Sequence, residues 1–260
     1  MKKDILHVIA SLYIENFISL QSYLINKSNL FMKHFIFYLF ALCVCGSSTL
    51  HAQDNQLTAK EKKAGWILLF NGKDYDGWIN NNGNPVTAQV EDGAMQTYKC
   101  GGYILTYNKP FGDFILKCDV KMDTECNSGI FLRMSDLKDP VNTGFEIQVA
   151  TENGNVHGHG ALYDVRAAAA NAGKGAGKWD QFEIRFTGQR LVTLLNGKKI
   201  LDVNLAEYTE PGKRDVEGNH KFMLDGKPRA LAAFSQTGYI GFQDHDHKCW
   251  YKNVKLLPLK

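Results

Sequence analysis

Short apolar runs separated by turn signals form the main pattern of the chain after residue 52. Asn-Gly and Asp-Gly pairs recur at short intervals, for example at Asn71-Gly72, Asp92-Gly93 and Asn196-Gly197. The runs between them are rich in β-branched and aromatic residues, which predicts strands. The predicted strands are residues 66–70, 103–106, 114–122, 129–133, 145–150, 179–187, 190–195, 239–243 and 249–257.

The segment 191–203 predicts a hairpin in detail. Its two halves are joined by Asn196-Gly197, a pair that suits a two-residue type I′ turn. No long segment repeats apolar residues with a helical period, and neither an internal repeat nor a linker divides residues 53–260. Many short strands at this spacing are typical of a sandwich or a barrel. The sequence therefore predicts one all-β domain over residues 53–260.

The N-terminal segment has the order of a secretory signal. Met32 and Lys33 precede an apolar stretch over residues 35–44, and small residues follow before Ala52. The stretch is shorter than the about 20 residues of a membrane-spanning helix. We predict that translation begins at Met32, that residues 1–52 are absent from the mature protein, and that the protein is periplasmic or secreted. N-terminal sequencing of the exported protein tests this.

A lipoprotein is the second interpretation of the same segment. It requires a small residue immediately before the lipid-bearing cysteine, which would be Cys43 or Cys45. Leu42 and Val44 stand at those positions. We therefore rank a cleaved signal peptide above a lipid anchor.

Charge and cysteine content narrow the range of partners. The chain has 30 basic and 27 acidic residues, and residues 1–52 hold four lysines and two acids, so residues 53–260 have a net charge of +1. A near-neutral domain has no electrostatic basis for binding nucleic acid or an anionic membrane.

Four cysteines follow residue 52, without Cys-x-x-Cys spacing, which leaves one disulfide and buried free thiols as alternatives. They are Cys100, Cys118, Cys126 and Cys249.

Alternation along the strand 145–150 places polar side chains together. Phe145, Ile147 and Val149 take one face, and Glu146 and Gln148 take the other. Segments 130–133 and 239–244 alternate in the same way, with Arg133 and Gln243 on their polar faces. Sugars need such a surface, with aromatic rings for their C–H faces and polar groups for their hydroxyls. We therefore predict a polar sugar-binding groove, with an ordinary solvated sheet face as the alternative.

Histidines cluster at His157-Gly158-His159 and around His245. On a strand, a His-x-His pair would direct both imidazoles to one side, as in metal sites, and acids such as Asp244 could act as further ligands. We name His157, His159, Asp244 and His245 as metal candidates, and a divalent metal as the cofactor to test. The alternative is a chance grouping of histidines in exposed loops.

A series of short motifs runs in a fixed order from Gly65 to Leu257. They are Gly65-Trp66, Leu69-Phe70-Asn71-Gly72-Lys73, Gly77-Trp78, Val90-Glu91-Asp92-Gly93, Asn127-Ser128-Gly129-Ile130-Phe131-Leu132-Arg133, Phe145-Glu146-Ile147-Gln148, Gly160-Ala161-Leu162-Tyr163-Asp164, Lys178-Trp179, Leu195-Asn196-Gly197-Lys198 and Gly241-Phe242-Gln243-Asp244-His245, followed by Trp250. Each motif alone is weak. The ordered set resembles the 3-keto-glycoside lyase/hydratase family, also called 3-keto-disaccharide hydrolases and formerly a domain of unknown function.

The resemblance implies a fold and a reaction. The fold is a concanavalin A-like jelly-roll sandwich of two antiparallel sheets. The substrates are glycosides or disaccharides already oxidised to a ketone at C3. The ketone acidifies the hydrogen at C2, so a base can form an enolate and the C1 substituent can leave by elimination, with hydration of the product as a further step. Such a site needs a base and a group that stabilises the enolate oxygen.

Chemical reasoning then assigns roles to the candidate residues. Glu146 or His245 is the base, and Arg133 or a metal stabilises the enolate. The remaining candidates bind the sugar, and they are Gln148, Tyr163, Gln243, His157 and Asp244.

Two other functions remain open. A non-catalytic carbohydrate-binding module would explain the polar groove without a base. An ordinary jelly-roll glycoside hydrolase would need two carboxylates about 5–5.5 Å apart. That class resembles Glu-x-Asp-x-x-Glu, whereas this strand has Gln148 as its middle residue and Glu152 one position too late.

Overall fold

Two large antiparallel sheets and one two-stranded sheet form the domain in the computed structural model. The structure describes residues 53–211 and 227–260, together with residues 15–16, 18–23, 27 and 223–224. Ala52–Lys260 form one compact unit. The proposed signal segment 32–52 lies outside the described residues, so export remains a prediction. Among the helices of the described part, none is long and apolar enough to span a membrane.

The strands and helices of the described residues have the following bounds. The strands are β1 Ile67–Leu68, β2 Trp78–Asn80, β3 Val90–Glu91, β4 Ala94–Gln96, β5 Ile104–Tyr107, β6 Phe114–Met122, β7 Asn127–Met134, β8 Phe145–Ala150, β9 Trp179–Thr187, β10 Arg190–Leu195, β11 Lys198–Asn204, β12 Met223–Leu224, β13 Lys227–Pro228, β14 Tyr239–Gln243 and β15 Cys249–Pro258. The helices are α1 Ala59–Ala64 and α2 Pro140–Thr143, with 3₁₀ turns at Leu205–Glu207 and Leu231–Ala233.

The strand order confirms the predicted all-β jelly-roll sandwich. The larger sheet has the order β11-β10-β9-β6-β15-β4-β3, with β1 also paired to β15. The smaller sheet has the order β2-β5-β14-β7-β8. Every pairing in the two sheets is antiparallel.

Local sequence signals explain several elements directly. Asn196 and Gly197 both have positive φ, at 51° and 79°, as the type I′ hairpin between β10 and β11 requires. Helix α1, which the sequence pattern did not predict, begins with a capping box formed by Thr58 and Glu61. It ends at Gly65, whose φ of 86° is in the left-handed region that favours glycine.

The main core lies between the two sheets. Inward-facing side chains of both sheets are buried there, and the ring of Phe242 stacks on that of Tyr251 with centroids 3.9 Å apart. All four cysteines after residue 52 are buried free thiols. The main core is therefore formed by the inner faces of the two sheets, and their outer faces do not contribute to it.

A second, smaller apolar cluster lies on the outer face of the five-stranded sheet. It joins Ile104, Phe131 and Met134, and Val141 of α2 packs against it. This cluster borders the polar side chains of the face, because Ile104 is paired with Gln243 and Phe131 with Glu146. Polar side chains lie where β7 begins and β14 ends.

Candidate functional site

The polar end of the five-stranded sheet brings together Asn127, Glu146, Gln148 and Gln243, and we call it the polar face. In β8, Ile147 and Val149 belong to the main core, so strand alternation directs Glu146 and Gln148 outward. Gln148 is paired with Gly129 across β7. The predicted grouping of Glu146, Gln148 and Gln243 on one sheet is therefore what the fold produces.

Glu146 is the most strongly perturbed group of the polar face. The residue is 8% exposed, and burial raises the pKa of its carboxyl to about 8. Its Oε1 atom has no hydrogen-bond partner among the described residues. A carboxyl without compensating partners is costly to ionise, which makes the ionised form a stronger base than an exposed glutamate.

Gly129 makes room for this carboxyl. A Cβ atom at Gly129 would lie 2.1 Å from Oε1 of Glu146 and 2.7 Å from its Cδ. Both distances are far below van der Waals contact. A glycine at this position therefore allows the Glu146 side chain to lie flat across β7.

A chain of amides reaches His245. Gln148 donates from Nε2 to Oδ1 of Asn127 at 2.8 Å, and Nδ2 of Asn127 lies 3.4 Å from Nδ1 of His245. The contact with Asn127 occupies Nδ1 of the His245 ring, whereas Oε1 of Glu146 has no partner among the described residues. This difference favours Glu146 over His245 as the base.

Two tyrosines flank the carboxyl. Tyr163, a sequence-predicted binding residue, donates its backbone N–H to the carbonyl of Glu146 at 2.9 Å. Tyr103 was predicted only as part of a strand, yet Gln243 donates from Nε2 to its hydroxyl. Both tyrosines interact electrostatically within this group, because Glu146 and Tyr163 each contribute to raising the pKa of Tyr103, after the larger effect of burial. Asn127 and Tyr103 are thus the residues that sequence reasoning missed.

Arg133 does not belong to the polar face, so the prediction that it stabilises an enolate does not fit. Its backbone has a φ of 53°, and the pairing of β14 with β7 shifts register between Tyr239 and Gly241. This β-bulge breaks the alternation and turns the guanidinium toward the other sheet. There it bonds Asp113 at 2.7 Å and lies 3.7 Å from the ring centroid of Phe186.

The His157 and His159 side chains point in different directions. The segment is a loop and not a strand, so the expected metal geometry does not form. His159 is buried, with its Nε2 3.2 Å from Asp180 and its ring against Phe182. His157 is half-exposed, with its Nε2 2.6 Å from Oδ1 of Asp164 and its ring 4.8 Å from that of Tyr163. His157 therefore borders the polar face, and His159 does not.

Asp244 has a structural position beside the polar face. Its Oδ2 accepts from the backbone N–H of Cys100 at 3.1 Å, and its Oδ1 accepts from that of Asp246 at 3.3 Å. These bonds hold the turn that carries His245. Among the described residues, no three His, Cys, Asp or Glu side chains are grouped to hold a metal ion, so the four metal candidates do not form a site.

The unpaired atoms of the polar face define what it can bind. Glu146, Gln148 and Gln243 each have a buried Oε1 without a hydrogen-bond partner in the described part of the chain. All three are acceptors, and buried acceptors are normally satisfied. A ligand rich in hydroxyl groups would donate hydrogen bonds to these three oxygens.

Comparison with known proteins shows the same family across the domain. The model of the 3-keto-alpha-glucoside-1,2-lyase-like domain matches residues 65–257. A protein of Bacteroides thetaiotaomicron named 3-keto-disaccharide hydrolase is 25% identical over 231 residues, which cover 75% of this chain and 79% of that protein.

Solved structures are similar over the same region. A crystal structure of a candidate glycosyl hydrolase from Parabacteroides distasonis has 27% identity and a TM-score of 0.64, covering 80% of this chain and all of that one. A second such structure from the same organism has 26% identity and a TM-score of 0.62, covering 75% and 99%. Because the family model spans more than half of the chain, the resemblance is confirmed: this protein belongs to the 3-keto-alpha-glucoside-1,2-lyase-like domain family.

Proposed function

We propose that the protein is an enzyme that cleaves glycosides carrying a ketone at C3, by removing the proton at C2 and eliminating the C1 substituent. The observation that carries this proposal is the buried, unpaired carboxyl of Glu146, whose pKa burial raises to about 8. A base of that strength suits a carbon acid next to a ketone. The family match and the name of the Bacteroides relative support the substrate class.

In the first step, the Glu146 carboxylate takes the C2 proton. The electron pair of the C2–H bond forms the C2–C3 double bond, and the ketone oxygen becomes an enolate. The carboxyl is positioned for this step by Gly129 beneath it and by the pairing of β8 with β7. Fixed geometry of this kind contributes strongly to rate because the reacting atoms need no further ordering.

In the second step, the enolate reforms the ketone while a C1–C2 double bond forms and the C1–O bond breaks. The leaving oxygen takes the proton held by Glu146, which returns the carboxylate to its starting state. Addition of water to the released unsaturated ketone would complete a net hydrolysis.

A hydrolase with two carboxylates is the weaker candidate. In β8, Gln148 stands where that class needs a second carboxylate, and Glu152 is exposed beyond the end of the strand. A non-catalytic sugar-binding module would not need a carboxyl with a raised pKa, because amides such as that of Gln148 bind hydroxyls without the cost of burying an ionisable group.

Incubation with an ordinary disaccharide and with its 3-keto form separates these candidates. We expect turnover of the keto form alone, followed by NMR of the products, because only the ketone makes the C2 hydrogen acidic. Turnover of the unoxidised sugar would favour the two-carboxylate hydrolase, and binding without turnover would favour the module. Parallel reactions with a chelator test the divalent metal.

Gly129→Ala should impair the enzyme without unfolding it. The new Cβ would overlap Oε1 of Glu146, so the carboxyl must move by about 1 Å, a displacement that costs roughly 100-fold in rate. Stability should fall by about 1 to 3 kcal/mol, because the new Cβ also lies 2.7 Å from Cγ of Glu146 and the buried side chain must be displaced. The measurements are kcat with the 3-keto sugar and thermal unfolding.

Gly112→Ala is the matched control for this change. A Cβ at Gly112 would meet its nearest neighbour, Oγ1 of Thr237, at an ordinary 3.7 Å. This variant should keep wild-type kcat. Equal activity of both variants would show that the position of Glu146 is unimportant for turnover.

A further inference from the structure

The backbone of Tyr103 is held from two sides at the edge of the polar face. Its N–H donates to Oδ1 of Asn81 at 2.7 Å, and its carbonyl accepts from the N–H of Asp244 at 2.9 Å. The residue is 37% exposed, and its ring lies edge-on to His245 with centroids 6.3 Å apart. Tyr103 is therefore fixed in position, and its ring remains open to an incoming ligand.

The hydrogen bond from Gln243 directs the Tyr103 hydroxyl. The amide Nε2 of Gln243 donates to the phenolic oxygen, and an amide nitrogen cannot accept in return. The phenolic hydrogen is thus not used in this bond. Within the described residues, no acceptor for that hydrogen is found.

The hydroxyl is a donor and not a base. Burial raises the pKa of Tyr103 to about 12, and the nearby charge of Glu146 adds to the effect. Between about pH 8 and about pH 12, Glu146 is a carboxylate while the Tyr103 phenol keeps its proton. The charge of Glu146 acts on the phenol, and Gln243, which holds the hydroxyl, belongs to the same polar face as the base.

We propose that Tyr103 is a catalytic residue whose hydroxyl, held by Gln243, donates a hydrogen bond to the enolate oxygen at C3. This inference rests on the proposed function and fills the role for which Arg133 is wrongly placed. During the first step, negative charge moves from the C2–H bond to the C3 oxygen. Tyr103 keeps its proton throughout, and the hydrogen bond strengthens as the charge grows.

A substrate without a leaving group isolates this step. A 3-keto sugar with hydrogen in place of the C1 substituent can form the enolate but cannot eliminate. In D₂O, the C2 hydrogen then exchanges for deuterium, which NMR measures directly. We expect Tyr103→Phe to slow this exchange and the turnover of a 3-keto-disaccharide by about 100-fold to 1000-fold, the usual loss for one oxyanion donor.

Tyr107→Phe is the matched control, because Tyr107 lies on β5 with its ring packed against Trp78 on the core side. It should exchange and turn over the substrate at wild-type rates. If the wild type is active and Tyr103→Phe stays within twofold of it, the Tyr103 role is overturned while the proposed function stands. If the wild type neither exchanges nor cleaves the 3-keto sugar, both proposals fail.

Should Tyr103→Phe unfold, Gln243→Met supplies the second test. Loss of the amide donor removes the bond that directs the hydroxyl, so exchange at C2 should fall about tenfold. Wild-type exchange in a folded Gln243→Met variant would overturn the proposed positioning of Tyr103 by Gln243.

Discussion

Glu146→Gln is expected to lower kcat/KM for a 3-keto-disaccharide by about a thousandfold. The amide has the size of the carboxyl but cannot accept the C2 proton, and loss of a general base typically costs 10²- to 10⁴-fold. The effect should appear in kcat with little change in KM. Full activity of this variant would place the base elsewhere on the polar face.

The pH dependence of kcat/KM tests whether the carboxyl of Glu146 is the base. The ionised form of Glu146 is the base, and burial raises its pKa to about 8. The kcat/KM of the wild type should therefore increase as pH rises, with its half-maximum near pH 8. The residual rate of Glu146→Gln should lack this step.

Thermal unfolding of Glu146→Gln shows whether an inactive variant is folded. Because the folded-state pKa lies above the ordinary value of 4.5, the stability linked to this group is complete below pH 4.5 and is lost as pH rises through about 8. Glu146→Gln cannot ionise and so escapes this loss. At pH 9 the variant should unfold at the same temperature as the wild type or at a higher one, so that an inactive variant can be shown to be folded.

Arg133→Ala is expected to lower the free energy of unfolding by about 3 to 5 kcal/mol. The guanidinium is almost fully buried and bonds the carbonyls of Gly112 and Gly188 as well as Asp113. Its removal leaves buried polar groups unpaired and opens a cavity over Phe186. Denaturant unfolding measures the change, and kcat of the folded fraction should equal that of the wild type.

Arg190→Ala is the matched control for an arginine in an ion pair. Arg190 bonds Asp202 in two places but lies on the surface, where solvent screens the interaction. Its unfolding curve should coincide with that of the wild type. If Arg133→Ala lost turnover while keeping its stability, Arg133 would be a catalytic group after all.

Strand alternation made much of the polar face predictable. Phe145 and Ile147 are apolar, and Glu146 and Gln148 are polar, so only one placement buries the apolar pair. The structure confirms that placement, and β6, β8, β9, β10 and β14 have the predicted bounds. The turn at Asn196-Gly197 was equally predictable from the sequence, because few other residue pairs adopt positive φ at both positions.

Alternation failed where the backbone departs from a regular strand. Arg133 was expected beside Glu146, but a β-bulge at this point of β7 turns its side chain toward the other sheet. His157 and His159 were expected side by side, but they lie in a loop, where the two-residue period does not apply. The glycines and asparagines around the histidines favoured the alternative of a loop, whereas the sequence contains no clear signal for the bulge at Arg133.

The sequence by itself determined the fold class, the hairpin turns and the face that each regular strand buries, because these depend on neighbours a few residues apart. Only the tertiary structure decided which polar groups meet. Tyr103 reaches Gln243 across 140 positions, and Asn127 reaches His245 across 118. Such contacts follow from the order of strands in a sheet and from bulges, since the local alternation of side chains is satisfied equally well by many strand orders. The sequence thus predicts that polar residues surround Glu146, and the fold determines which residues contact one another there.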